Sequence, residues 1–236
     1  MRAVRSAFFQ MTVMMRRDMM LFVSCLAPIL AGISFRFAIP LLETTLTNCF
    51  QVEAALSTYY KLIDILFAML TPDMFCFVSA MVALEERDEK TVAYLFITPL
   101  GKTGYLFARL GVPSAIAFLA TVILLPVFKL TPLSAMSILL LAAGGTLQGM
   151  IASLLILAVS SNKLEGMAVA KLSGLVILGA AVPFFVRSNV QYLVSPLPSF
   201  WIGKAVLENC MPDMLPAFGL SVGWICVLLK WYLRPR

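Results

Sequence analysis

Histidine is absent from this chain of 236 residues, and charge is scarce, with Asp, Glu, Lys and Arg making up 13% of it. The five cysteines, Cys25, Cys49, Cys76, Cys210 and Cys226, form no CxxC pair. Metal centres built on imidazole or paired thiolates therefore have no ligands. Cys49 and Cys210 both fall in expected outer loops, and whether they pair is left open. A P-loop is missing too, because the Gly-Lys-Thr at 101–103 has Phe96 where that motif needs its first glycine. The tripeptide reads as a turn ending a loop.

What fills the sequence instead is apolar. Hydrophobic residues reach 61% and mean hydropathy is +0.95, against about 45–50% apolar and about 25% charged in soluble domains. Such a chain cannot cover itself with polar surface. Spans of about 20 residues suit a bilayer core about 30 Å thick, so six of them take about half the chain and leave no room for a sizeable soluble domain. The net charge of +6 comes in small groups between apolar runs, not as a basic stripe interleaved with aromatics. Anionic lipid is the expected partner, and nucleic acid is not.

Residues 1–18 carry Arg2, Arg5, Arg16 and Arg17, while Val4, Phe8, Met11 and Met15 recur at helical spacing. This predicts an amphipathic helix lying on the membrane surface. No small-residue cleavage site follows, so a removed signal peptide is not expected. The apolar runs predict spans at 19–42, 59–84, 105–127, 134–160, 167–186 and 214–232. Between them, 85–104 is a charged connection, and 187–213 is a mixed outer segment expected to lie in or dip into the interface.

Orientation follows from the basic residues. With the N-terminus inside, Arg2, Arg5, Arg16, Arg17, Arg87, Lys90, Lys102, Arg109, Lys163, Lys171, Lys230, Arg234 and Arg236 are cytoplasmic, a total of 13, and Lys61, Lys129, Arg187 and Lys204, a total of 4, are outside. The imbalance predicts both termini in the cytoplasm. Gly145 with Gly149, and Gly219 with Gly223, offer small-xxx-small faces for close helix packing.

Three ionisable residues lie where hydropathy expects none: Arg36 in the first span, and Asp64 and Asp73 in the second. Each costs about 2.5–3.5 kcal/mol at a helix centre, so each should face protein or water. Asp64 and Asp73 are nine positions apart, about 14 Å of rise and about 180° of rotation, and cannot form one paired-carboxylate site. Arg36 and Asp64 share the outer leaflet and suit an interhelical pair, with contact to substrate in the pathway as the second reading. Asp73 follows Pro72, whose missing N–H leaves two roles open, satisfying backbone groups or lining a pathway. One reading built on Asp64 and Asp73 is a secondary transporter driven by an ion gradient, although no inverted repeat of broken helices is seen. Glu85-Glu86 followed by Lys90 comes near an EExxxR protease pattern, which the lack of histidine rules out.

The densest charge is at EERDEKTVAYLFITPLGKTGYLFARL, from Glu85 to Leu110. Acidic residues close the second span, then Val92, Leu95 and Phe96 follow at helical spacing before Thr98-Pro99 breaks the helix. This predicts a short amphipathic helix whose apolar face is offered to a partner. The segment resembles the loop after the second helix in type-2 ABC exporter permeases, through Glu85, Glu86, Glu89, Thr91, Leu95, Thr98, Pro99, Leu100 and Arg109. SSNKLEGMAVAKL (160–172) and SPLPSFWIGKAVLE (195–208) resemble later stretches of the same family, and Lys90 departs from it, standing where the family usually has glycine.

The resemblance covers essentially the whole chain and implies an all-α integral membrane protein of six transmembrane helices, 1–236 forming a single permease domain of a bacterial cytoplasmic membrane. It implies an exporter half, a non-catalytic subunit pairing with a second permease subunit, identical or different. A separate cytoplasmic ABC ATPase would bind ATP and Mg, and this chain would hold no cofactor. Coupling to that ATPase is assigned to Glu85, Glu86, Glu89, Thr91, Leu95, Thr98 and Pro99. Drugs, peptides, lipids and polysaccharides are all cargo in the family, and no residue chooses among them.

Overall fold

A computed structural model describes residues 13, 18–50, 56–91 and 101–233, and every regular element among them is helical. Most of the expected surface helix at 1–18, and Leu95, Thr98 and Pro99, lie outside the described residues. The long helices are α1 (Met19–Phe50), α2 (Tyr60–Asp88), α4 (Val112–Phe128), α5 (Ala135–Val159), α6 (Lys163–Ile177) and α9 (Met214–Leu233). Shorter ones are α3 (Gly101–Leu106), α7 (Val182–Phe185) and α8 (Pro198–Leu207).

Six stretches are long and apolar enough to cross a membrane: Met19–Cys49, Ser57–Asp88, Gly104–Phe128, Ala135–Val159, Lys163–Phe185 and Met214–Leu233. The first helix outruns the span expected at 19–42. Thr44 and Thr45 donate to the Leu41 carbonyl and Thr47 to that of Glu43, all at 2.8 Å, so these hydroxyls are satisfied within the helix, which runs on through the polar residues. Hydropathy marks where apolar surface stops, which is not where backbone hydrogen bonding stops.

The bundle is built around α2. In its most apolar stretch 72% of residues are buried and in α5 67%, against 11% in α1 and 22% in α9. The outer helices expose large apolar side chains such as Phe37, Leu41, Leu215 and Val227, as lipid-facing helices do. Two apolar clusters stack along α2. One gathers Met81 and Leu84 with Leu21, Leu154, Leu157 and Leu228; the other gathers Ile65, Phe67 and Met69 with Leu125, Leu141 and Ile202.

Glycine lets the two central helices touch. A Cβ at Gly145 would lie 2.4 Å from the Ala68 carbonyl oxygen, and one at Gly149 would lie 2.9 Å from that of Pro72. Pro72 has no N–H for Ala68, four residues back, and α5 closes over the gap. At the other small-residue face, no described atom lies within 4 Å of a Cβ built at Gly219 or Gly223.

The 187–213 segment holds a buried helix. In α8, Phe200 and Ile202 are fully buried, and a Cβ at Gly203 would lie 2.2 Å from the Ala180 carbonyl. It ends at Asn209, whose φ of 52° places it in the left-handed region; the Cys210 N–H then bonds the Ala205 carbonyl at 2.9 Å, a Schellman closure. Cys49 and Cys210 are free thiols.

Candidate functional site

Four consecutive charged residues, Glu85, Glu86, Arg87 and Asp88, end α2. Successive residues on a helix turn by about 100°, so four of them point around the whole circumference. Because α2 is central, these directions meet the ends of several helices, with Glu85 and Asp88 sharing the start of α6.

Glu86 points toward α3 and α4. It is 4% exposed and Arg109 is 1% exposed. Arg109 donates through Nε to Oε2 at 3.0 Å and through Nη2 to Oε1, a two-pronged pair, and the Tyr105 hydroxyl donates to Oε2 at 3.0 Å. Arg109 sits in a π-helical turn, Phe107–Gly111, between α3 and α4. The wider turn takes an extra residue and frees a carbonyl, and the Ser79 hydroxyl of α2 donates to the carbonyl of Arg109. Side chain and main chain of one residue are thus both gripped by α2.

Glu85 points toward α6. Lys163 Nζ bonds Glu85 at 2.8 Å and Asp18 at 2.6 Å, and Asp18 in turn accepts the Met20 N–H at the start of α1. The hydrogen bond from Lys163 holds the Asp18 carboxyl below the usual carboxylate range. Asp88 accepts the Lys163 N–H at 3.0 Å, an anion at the N-terminus of α6. Asn162 caps that terminus by accepting the Glu165 N–H, and Glu165 reaches back to accept the Ser161 N–H just before the cap.

Arg87 points toward α5 and α9. It donates to the Ser160 and Leu157 carbonyls at 2.8 and 3.3 Å, a cation on the last carbonyls of α5, and its guanidinium lies 5.5 Å from the Tyr232 ring centre. One turn of α2 therefore joins the ends of all the other spans. Nothing in the sequence states these partners, since they lie up to 145 residues apart.

The remaining acidic-segment residues behave differently. Glu89 is exposed, Lys90 holds φ at 58°, and the Thr91 hydroxyl donates to the Glu86 carbonyl at 2.9 Å. The chain then passes beyond the described residues and returns at Gly101, φ 61°, eight residues before Arg109. The Glu86–Arg109 pair thus fastens together the two sides of the 92–100 segment.

At the opposite end, Arg36 and Asp64 meet one turn and form no ion pair with each other among the described residues. Arg36 donates to the Lys129 carbonyl at 2.6 Å; Asp64 accepts the Leu130 and Thr131 N–H groups at 2.8 and 2.9 Å and the Thr131 hydroxyl as well. The direct pair suggested by their depth becomes a shared clamp on the α4–α5 turn. Glu43 makes a similar tie unforeseen in the sequence, accepting the Ser57 N–H and the Tyr60 hydroxyl. Asp73, at mid-length in α2, is 6% exposed and borders a cleft. No group of three His, Cys, Asp or Glu side chains among the described residues is placed to hold a metal ion.

Comparison with known proteins adds the family. The profile described as "Fluoroquinolones export permease protein Rv2686c-like" matches residues 12–233. Two Mycobacterium tuberculosis proteins, the fluoroquinolones export permease proteins MT2760 (strain CDC 1551 / Oshkosh) and Rv2686c (strain ATCC 25618 / H37Rv), are each 29% identical to the chain over 194 residues. The alignment covers 80% of this chain and 75% of each relative. No solved structure matches. Six apolar helices and bacterial relatives of this kind make the chain a multi-pass bacterial membrane protein. It belongs to the Rv2686c-like family of export permeases, within the type-2 ABC exporter class that its sequence resembles.

Proposed function

We propose that this chain is the membrane-spanning subunit of an ATP-driven exporter, with both termini in the cytoplasm and a separate ABC ATPase seated on its 85–104 segment. Two such subunits, identical or different, form the pathway. ATP and Mg belong to the ATPase, which has the P-loop this chain lacks. The relatives' names speak of fluoroquinolone export, and small drugs of that kind are the first cargo to try here, ahead of peptides and lipids.

The observation that carries the reading is the buried Glu86–Arg109 pair. A push on 92–100 reaches the bundle through a clasp that joins α2 to the third span, and α2 joins the rest. This divides the acidic residues into two kinds. Glu85 and Glu86 are positioning residues that face their own chain, while Glu89 is free to face the ATPase, with Leu95, Thr98 and Pro99 beyond it. The gradient-driven alternative has lost one of its two carboxylates, because Asp64 is occupied by three donors.

The test is transport by inverted vesicles holding this chain with its ATPase. Norfloxacin uptake should require ATP hydrolysis and persist when an uncoupler removes the proton gradient. Uptake on a proton gradient by the chain alone would overturn the proposal. Glu86→Gln should lower ATP-dependent uptake while leaving the ATPase bound, and Glu89→Lys should weaken ATPase binding in pull-downs.

A further inference from the structure

A cleft of about 610 Å³ lies between α1, α2, α5 and α6, bordered by Asp73, Met74, Phe77, Ile156, Met167 and Lys171. Drug-sized sites run to about 300–1,000 Å³ with mostly apolar walls and a few polar groups, and this cleft has that make-up. Its border includes Met20 and Leu164, in the first turns of α1 and α6 beside the charged hub, and it extends to Asp73 at the middle of α2.

Two charges face it, and neither has a partner among the described residues. Asp73 is more than nine-tenths buried, yet it accepts no hydrogen bond from any described residue. Every other buried acidic or basic residue among those described, Asp64, Glu86 and Arg109, is tied by two or more bonds. Lys171, on the exposed side, forms no ion pair or hydrogen bond with any described residue either, and it does not reach Asp73. A carboxylate so placed is costly unless something brings it a donor.

The occupant must answer both charges. A lipophilic cation would satisfy Asp73 and be repelled by Lys171, and an acid would do the reverse. A molecule with a protonated amine and an acid group on an apolar scaffold satisfies both, with Phe77 and the adaptable Met74 and Met167 taking the scaffold. We propose that this cleft is the cargo entry site and selects amphoteric, largely apolar small molecules, with the amine on Asp73 and the acid group on Lys171. The proposal rests on the export reading above and names its class of cargo.

The full-length chain in phosphatidylcholine nanodiscs, without ATPase, separates the charges by equilibrium dialysis. The probes are norfloxacin (amine and acid), its methyl ester (amine only) and nalidixic acid (acid only). Norfloxacin should bind tightest. Asp73→Asn should weaken norfloxacin and the ester by about tenfold and leave nalidixic acid within about twofold, and Lys171→Gln should weaken norfloxacin and nalidixic acid and spare the ester. The spared probe in each variant reports that the cleft is still folded. Wild-type protein that does not bind norfloxacin, or affinities indifferent to both substitutions as in an apolar lipid groove, would overturn the proposal. A chain that binds as expected but moves nothing on ATP upholds this site and sinks the exporter; one that exports on ATP with charge-blind binding sinks this site alone.

Discussion

Glu86 and Arg109 are the two buried opposite charges at the hub, and burial fixes what their loss should do. Removing one strands the other in a low-dielectric site, at a cost of about 3–5 kcal/mol, whereas removing both leaves no charge stranded. Glu86→Gln and Arg109→Met should each lower the melting midpoint in detergent, and the double variant should fall by clearly less than the two losses combined. Strict additivity would mean that the pair carries no coupling. Lys90 offers the opposite sign, since its φ of 58° costs a side chain about 1–2 kcal/mol that glycine does not lose. Lys90→Gly should raise the midpoint, and a fall would show that the lysine side chain compensates for its backbone. The departure at Lys90 was visible in the sequence, but the need for a left-handed residue there was not. Likewise the acidic run could be read, but not its partners, because which face of the third span meets α2 is set by a π-helical turn with no sequence signature.

At the scale of elements, the six spans were legible because lipid demands long apolar runs and nothing else among the described residues is long and apolar enough. The buried α8 was not. Its ten residues mix Pro198, Ser199, Trp201 and Lys204 among apolar ones, and burial comes from contact with the turn at Ala180, 23 positions before Gly203. Glycine pairs were equally ambiguous, for Gly145/Gly149 and Gly219/Gly223 look alike in sequence and differ wholly in surroundings. Gly145→Ala drives a Cβ into the Ala68 carbonyl and should lower the melting midpoint, with a loss of about 1–3 kcal/mol. Gly219→Ala meets open space and should leave stability unchanged or raise it by up to about 1 kcal/mol, from helix propensity alone. Equal losses at both would mean that a surface outside this chain already covers α9.

For the whole molecule, every argument about coupling depends on which side of the membrane holds the hub. In the orientation proposed above, which the 13-to-4 division of basic residues supports, an even number of spans puts both ends of the chain in the cytoplasm. The charged hub at the end of α2 then faces the ATP pool, and the Arg36–Asp64 clamp on the 129–131 turn faces outward. Both Lys90 and Arg187 are exposed, one at each face of the bundle, so each can report through a single cysteine in a variant with the five native cysteines replaced. A membrane-impermeant maleimide should label Lys90→Cys in inverted vesicles and not in intact cells, and should label Arg187→Cys in intact cells and not in inverted vesicles. The reverse pattern would put 85–104 outside. No cytoplasmic ATPase could then reach it, and Glu86 and Arg109 would hold only a loop.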